Sequence, residues 1–159
     1  MAKAIVVCGK ICSGKTTYAK KLCSERRAAL LSIDEVMLSL FGQHTGDMHD
    51  TYAARTKQYL LAKAAELVAA DIDVVLDWGP WTKAGRAELR GDLAARGIAC
   101  EVHAIDISDE IWRARLAKRN AAVEASEAQA YFVDDNLAAK FTSRYETPDA
   151  DEVDVRITE

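Results

Sequence analysis

The chain has 159 residues, half of them apolar and 29% charged, with a formal net charge of −4. That is the composition of one soluble globular domain, long enough to bury about two-thirds of its unfolded surface. It argues against broad electrostatic binding to duplex nucleic acid, and with no apolar run near the ~18 residues of a membrane span, against a transmembrane protein.

In chain order, residues 4–8 are a short β-branched run suited to a buried strand, and residues 17–26 have helical character. Between them lies Gly9-Lys10-Ile11-Cys12-Ser13-Gly14-Lys15-Thr16-Thr17, which reads G-x-x-x-x-G-K-[ST]. Strand, glycine loop and helix form the context this phosphate-binding motif requires. Gly9 and Gly14 let successive N–H groups turn inward around phosphate oxygens, and the helix start adds unpaired N–H groups and a positive dipole end. Lys15 can reach the β- and γ-phosphates, and the Thr16 hydroxyl can ligate Mg²⁺. The stretch 9–17 is therefore expected to bind ATP through Gly9, Ile11, Cys12, Ser13, Gly14, Lys15, Thr16 and Thr17.

Residues 29–33 read as a second strand ending at Asp34-Glu35, followed by a short helix over 36–41 and a polar loop over 43–50. A long helix is expected over 51–70, capped by Asp50 or Thr51. Residues 73–77 form a third strand, Trp78-Gly79-Pro80-Trp81 turns the chain, and a helix over 82–96 ends at Gly97. A fourth strand over 98–107 leads through the cap-like Ser108-Asp109-Glu110 to a helix over 111–119. The remainder reads as a polar stretch over 120–127, a helix over 128–144, an acidic loop over 147–151 and a last strand over 153–157. Strands alternating with helices imply a single three-layer α/β domain with a five-stranded parallel sheet and right-handed connections.

Active groups in such a sheet gather beyond the carboxyl ends of the strands. Asp77 closes the third strand, where an acid can hold Mg²⁺ with Thr16, though an aspartate there can equally cap a helix. Asp34 closes the second strand, as a general base for an acceptor hydroxyl or as an N-cap. Arg115 and Arg119 lie one i,i+4 step apart, so two guanidinium groups share a face and can bracket a triphosphate. They precede a polar segment, which makes a lid around 115–130 that excludes water. His44 and His49 read as loop residues and His103 as structural. Trp78 and Trp81 either stack on a flat substrate or plug the core. Arg55 and Arg86 are helix-surface charges or anchors for an anionic or hydroxylated substrate. Cys8, Cys12, Cys23 and Cys100 show neither C-x-x-C pairing nor zinc spacing, which fits free thiols in a reducing cytoplasm. The immediate entry into a strand leaves no room for a signal peptide.

Together, Gly9 to Thr17, Ser32-Ile33-Asp34-Glu35, Val75-Leu76-Asp77-Trp78-Gly79 and the Arg115/Arg119 stretch resemble the small P-loop kinases grouped as AAA-type ATP-binding proteins. Their wider relatives include chloramphenicol phosphotransferase, polynucleotide kinase and the zeta toxins. The resemblance implies the strand order 2-3-1-4-5 and MgATP as phosphoryl donor. It implies Asp34 as the catalytic aspartate, with Arg115 and Arg119 as lid arginines and Arg86 on the substrate side. Where many relatives carry Asp-Ala-Thr-Asn, this chain has Asp77-Trp78-Gly79-Pro80, so acceptor contacts do not transfer. No arginine-finger or hexamer signature of a remodelling motor is present. The expected activity is γ-phosphoryl transfer from ATP to a hydroxyl, with a small-molecule acceptor favoured over a polynucleotide 5′-hydroxyl. An ATP-dependent binding switch and a zeta-toxin-like nucleotide-sugar kinase are the alternatives.

Overall fold

The structure is a computed structural model that describes residues 1–127 and 132–158. Strand β1 (Ala4–Gly9) is buried along its whole length and sits in the middle of the sheet. It pairs in parallel with β3 (Val74–Leu76) on one side and β4 (Cys100–Ile105) on the other. Strand β2 (Ala29–Leu31) adds outside β3 and β5 (Val155–Ile157) outside β4, both parallel, giving the order 2-3-1-4-5. The sheet is therefore the expected five-stranded parallel one. β1 and β3 are continuous apolar runs because both of their faces are covered.

The alternation of β1 assigns the layers. Ala4, Val6 and Cys8 pack with Leu61 and Ala64 of α3 (His49–Ala69) and with Leu89 and Leu93 of α4 (Lys83–Ala94). Ile5 and Val7 face the opposite way. They meet Ala19 and Leu22 of α1 (Lys15–Arg26), Trp112 of α5 (Asp109–Glu124) and Ala138 of α6 (Asp135–Arg144). The connections leaving the adjacent strands β1 and β3 thus run to opposite faces, through α1 and α4. A crevice opens between their carboxyl ends, the topological switch point where parallel sheets bind ligands.

Several boundaries differ from expectation, and side-chain caps explain most of them. Helix α2 (Ile33–Phe41) starts three residues early because the Ser32 hydroxyl accepts the Glu35 N–H at 3.3 Å. The second strand accordingly stops at Leu31, and Asp34 lies in the first turn of a helix instead of closing a strand. Neither Asp50 nor Thr51 caps α3, which follows without a side-chain cap from a 3₁₀ turn over Gly46–Met48. Thr82 caps α4 through the Gly85 N–H at 3.0 Å, and Ser108 caps α5 through the Ile111 N–H at 3.3 Å. Helix α5 continues to Glu124, absorbing part of the stretch expected to be irregular. Of the helix expected over 128–144, residues 128–131 lie outside the described residues, and α6 begins after Asp134, which caps it.

Candidate functional site

The loop leaving β1 is shaped by two glycines with different tasks. A Cβ on Gly9 (φ +156°) would lie 2.8 Å from Ser13 Oγ and 2.9 Å from the Ile105 carbonyl, and that carbonyl is backbone and cannot yield. Gly14 (φ +102°) is the N-cap of α1 and has no side chain to occupy the first-turn N–H groups, which leaves them for a ligand anion. Between them Cys12 takes a left-handed φ of 58°, and Ser13 N–H bonds back to the Lys10 carbonyl at 3.2 Å. The chain here curls into the concave loop that the sequence predicts.

Lys15 points into this loop, its Nζ donating to the Gly9 carbonyl at 3.0 Å and the Lys10 carbonyl at 2.7 Å. Burial pushes its ammonium below the ordinary value, against the opposing pull of Asp77, Cys12 and Asp34. Across the crevice, Asp77 is buried at the end of β3, and its Oδ2 accepts the Thr16 hydroxyl at 2.6 Å. The aspartate spends its side chain on Thr16 and leaves the capping of α4 to Thr82. A hydroxyl and a carboxylate side by side at a phosphate loop are the hard oxygen donors that Mg²⁺ accepts, with phosphate and water completing its shell. Among the described residues no cluster of three or more His, Cys, Asp or Glu could hold a metal ion.

Gly79, at φ +53°, closes the other side of Lys15: a Cβ there would sit 2.9 Å from Lys15 Cε. In the sequence Gly79 is one residue of the Trp78–Trp81 turn, and only the fold brings it against Lys15. Gly79→Ala forces both a left-handed alanine and a displaced lysine. It is expected to weaken binding of a non-hydrolysable ATP analogue roughly tenfold, equivalent to about 1.4 kcal/mol, as measured by calorimetry.

Helix α5 is fastened to the loop along one face. Trp112 Nε1 donates to the Ile11 carbonyl at 2.6 Å, an Arg115 Nη1 donates to the Ser13 carbonyl, and Arg119 Nη1 lies 3.0 Å from Cys12 Sγ. Lys10 pairs with Asp109 at 2.7 Å, beside the Trp112 ring. Both arginines therefore converge on the phosphate loop. The spacing 112, 115, 119 was the signal that Trp112 belongs to the same face.

Asp34 projects from the first turn of α2 into the same space. Its environment raises its carboxyl above the ordinary 3.8, through burial first and Asp77 second, against Lys15, Arg119 and His49. Asp34 is exposed to the cavity it lines, and the protein crowded around the carboxyl desolvates it in part. Ser32, two residues earlier, does the capping, and the Asp34 carboxylate remains available. The pattern Ser32-x-x-Glu35 was a legible helix-start signal. His49, expected in a loop, begins α3 close enough to act on Asp34, and its Nδ1 lies 3.0 Å from Thr45 Oγ1.

Lys15, Thr16, Asp34, Asp77, Arg115 and Arg119 all line one cavity of about 770 Å³, which also takes in Lys20, Glu35, Leu38, Ser39, Trp78 and Trp81. Each indole lines the cavity and is pinned by the scaffold. Trp78 Nε1 donates to the Leu31 carbonyl at 2.9 Å, while Trp81 packs edge-on against Phe141, centroids 4.6 Å apart.

Arg86 is not a substrate-side arginine. It is 3% exposed and forks onto Glu152 through Nε at 2.9 Å and Nη2 at 3.2 Å. Its Nη1 donates to the Glu146 carbonyl at 2.9 Å and the Trp81 carbonyl at 3.3 Å. Arg55 lies exposed on α3, away from the cavity lining. His103 is buried on β4 with Nδ1 2.8 Å from the Tyr18 hydroxyl, the structural place expected of it.

No curated protein sequence matches this chain. Solved structures that share its fold include Chaetomium thermophilum Kti12 in complex with ADP-AlF3, at TM-score 0.69 and 18% identity over 98% of this chain and 88% of that one. A sugar kinase from a Janibacter species aligns at TM-score 0.66 and 17% identity, covering 99% of this chain and 86% of that chain. Mycobacterium tuberculosis APS kinase CysC, in complex with AMPPNP and APS, aligns at TM-score 0.64 and 23% identity over 99% and 88%. These likenesses establish a P-loop kinase-like fold. The AAA domain family model matches residues 5–148, which take in β1 to β4 and every motif described above, and the chain belongs to that family.

Proposed function

We propose that this protein is an ATP-dependent phosphotransferase that moves the γ-phosphoryl group to a hydroxyl of a small-molecule acceptor. The observation that carries the reading is one cavity lined by Lys15, Thr16 and Asp77 on one side and by Asp34 on another. A phosphate cradle alone serves motors, switches and kinases alike. A carboxylate held beside it and not used as a cap is what a transferase adds.

In this reading the phosphate loop and the start of α1 hold the triphosphate, with Lys15 on the β- and γ-phosphates. Thr16 and Asp77 would hold Mg²⁺, which supplies charge neutralisation at the phosphates when bound. Asp34 accepts the proton of the attacking hydroxyl, and its raised carboxyl makes it a better base than an ordinary aspartate. Arg115 and Arg119 neutralise charge on the transferring group. The chain acts as a single kinase-like domain whose lid spans roughly 115–130, of which residues 128–130 lie outside the described residues.

The test is transfer from γ-labelled ATP to pooled hydroxyl-bearing metabolites, aminoglycosides and 5′-hydroxyl oligonucleotides. Transfer that Lys15→Ala abolishes supports the reading; hydrolysis without transfer to any pool favours a binding switch. Because Asp34 acts deprotonated and its carboxyl is raised, kcat/KM should fall on the acid side at a pH above 3.8, the ordinary aspartate value. A pH profile whose acid limb stays unchanged in Asp34→Glu and Asp34→Asn would remove Asp34 from the reaction.

A further inference from the structure

The cavity divides by charge. On the nucleotide side, Lys15, Arg115 and Arg119 gather at the phosphate loop. On the side between α2 and the turn after β3, the lining carries two carboxylates, Asp34 and Glu35, a hydroxyl at Ser39, and the indoles of Trp78 and Trp81. The one cation among the described residues lining that side is Lys20, on the exposed face of α1, and Glu35 offsets it in charge. Arg86, on α4 just after that turn, is bound to Glu152 and to carbonyls and does not line the cavity.

An anionic acceptor needs cations in fork or point-charge contact, since charge-assisted bonds are what hold phosphate, sulfate and carboxylate. Once the triphosphate has engaged Lys15 and the paired arginines, the remaining half offers such a group more repulsion than attraction. What it does offer is acceptor oxygens for hydroxyl or ammonium donors, and indole walls on which an apolar ring face or a cation is favoured.

We propose that the phosphoryl acceptor is a hydroxylated ring compound with no anionic group, uncharged or ammonium-bearing, held between α2 and the Trp78–Trp81 turn. This inference rests on the kinase reading above. In the reaction, an acceptor hydroxyl oxygen bonds to the γ-phosphorus as the bond from γ-phosphorus to the bridging oxygen of ADP breaks. The hydroxyl proton passes to Asp34, and ADP leaves with the bridging electron pair.

The experiment uses the full chain and γ-labelled ATP against three matched arms: cyclitols and neutral sugars, amino sugars and aminoglycosides, and the phosphorylated or carboxylated counterparts of both. The expected result is transfer to the neutral or ammonium arm at least tenfold above the anionic arm. In Glu35→Lys, that ratio should fall at least tenfold while KM for ATP stays unchanged; Glu35→Gln should give an intermediate ratio. Equal or better transfer to the anionic arm overturns the acceptor class and leaves the kinase reading standing. A ratio unmoved in both Glu35 variants also overturns it. Transfer to none of the arms by protein that binds ATP overturns this inference, and the kinase reading falls with it only if 5′-hydroxyl oligonucleotides are not phosphorylated either.

Discussion

Asn at position 34 is expected to lower phosphoryl transfer by about 10²–10⁴-fold, the range general-base catalysis typically supplies, with ATP affinity preserved. The two halves of that expectation have separate origins in the structure. In the proposed reaction binding depends on the loop from Gly9 to Thr17, where Lys15 and the start of α1 would meet the phosphates, and Asp34 makes no hydrogen bond to that loop. Asp34 extends from a different element, fixed by the Ser32 cap, so Asn keeps the shape of α2 and removes only the proton acceptor. Steady-state kinetics would show kcat falling with KM for ATP steady. An Asp34→Asn protein that retained full transfer would refute the base assignment. One that lost ATP binding would make Asp34 part of the nucleotide site.

The second large effect concerns stability. Arg86→Met is expected to destabilise the protein by about 3 kcal/mol, the low end for breaking one side of a buried ion pair, with a Tm lowered on the order of 10 °C. Arg86 joins α4 to the carbonyls of Trp81 and Glu146 and to Glu152, 66 residues away in sequence. Its guanidinium first, helped by the Asp149 N–H and Lys83 and opposed by burial, holds the Glu152 carboxyl down at about 2, from an ordinary 4.5. Because the folded value is the lower one, this contribution is complete above pH 4.5 and is lost as pH falls through about 2. Denaturant melts across that interval should show a steeper acid loss in the wild-type chain than in Arg86→Met. Parallel curves would mean that the pair contributes little. ATP affinity in the variant, measured at a temperature where it is folded, should stay near wild type.

The fold was largely legible in the chain, for a physical reason. A parallel sheet covered on both faces needs uninterrupted apolar strands, and residues 4–8 and 74–76 carry that pattern whatever surrounds them. The phosphate loop was equally local, since Gly9 and Gly14 adopt backbone conformations that another residue would resist. Helix starts were less legible because they depend on single hydroxyl contacts. Ser32 and Ser108 each recruit an N–H three residues on, but only Ser108 was read as cap-like. The shift at Ser32 changed chemistry as well as boundaries, for it put Asp34 and Glu35 in a helical turn facing the cavity.

By itself the sequence determined the phosphate loop, the alternation of strands and helices, and the candidate acids and arginines, because each is a property of neighbouring residues. Tertiary structure decided which candidates meet. It brought Asp77 to Thr16 across 61 residues and Arg115 to Ser13 across 102, pairings set by sheet order and helix packing. It also withdrew Arg86 from the site, since Glu152 lies on the segment between α6 and β5, which the sheet order brings back to α4. Charge balance in the half of the cavity between α2 and the turn after β3 was decided there as well, because it depends on which side chains share a cavity and not on which share a stretch of chain.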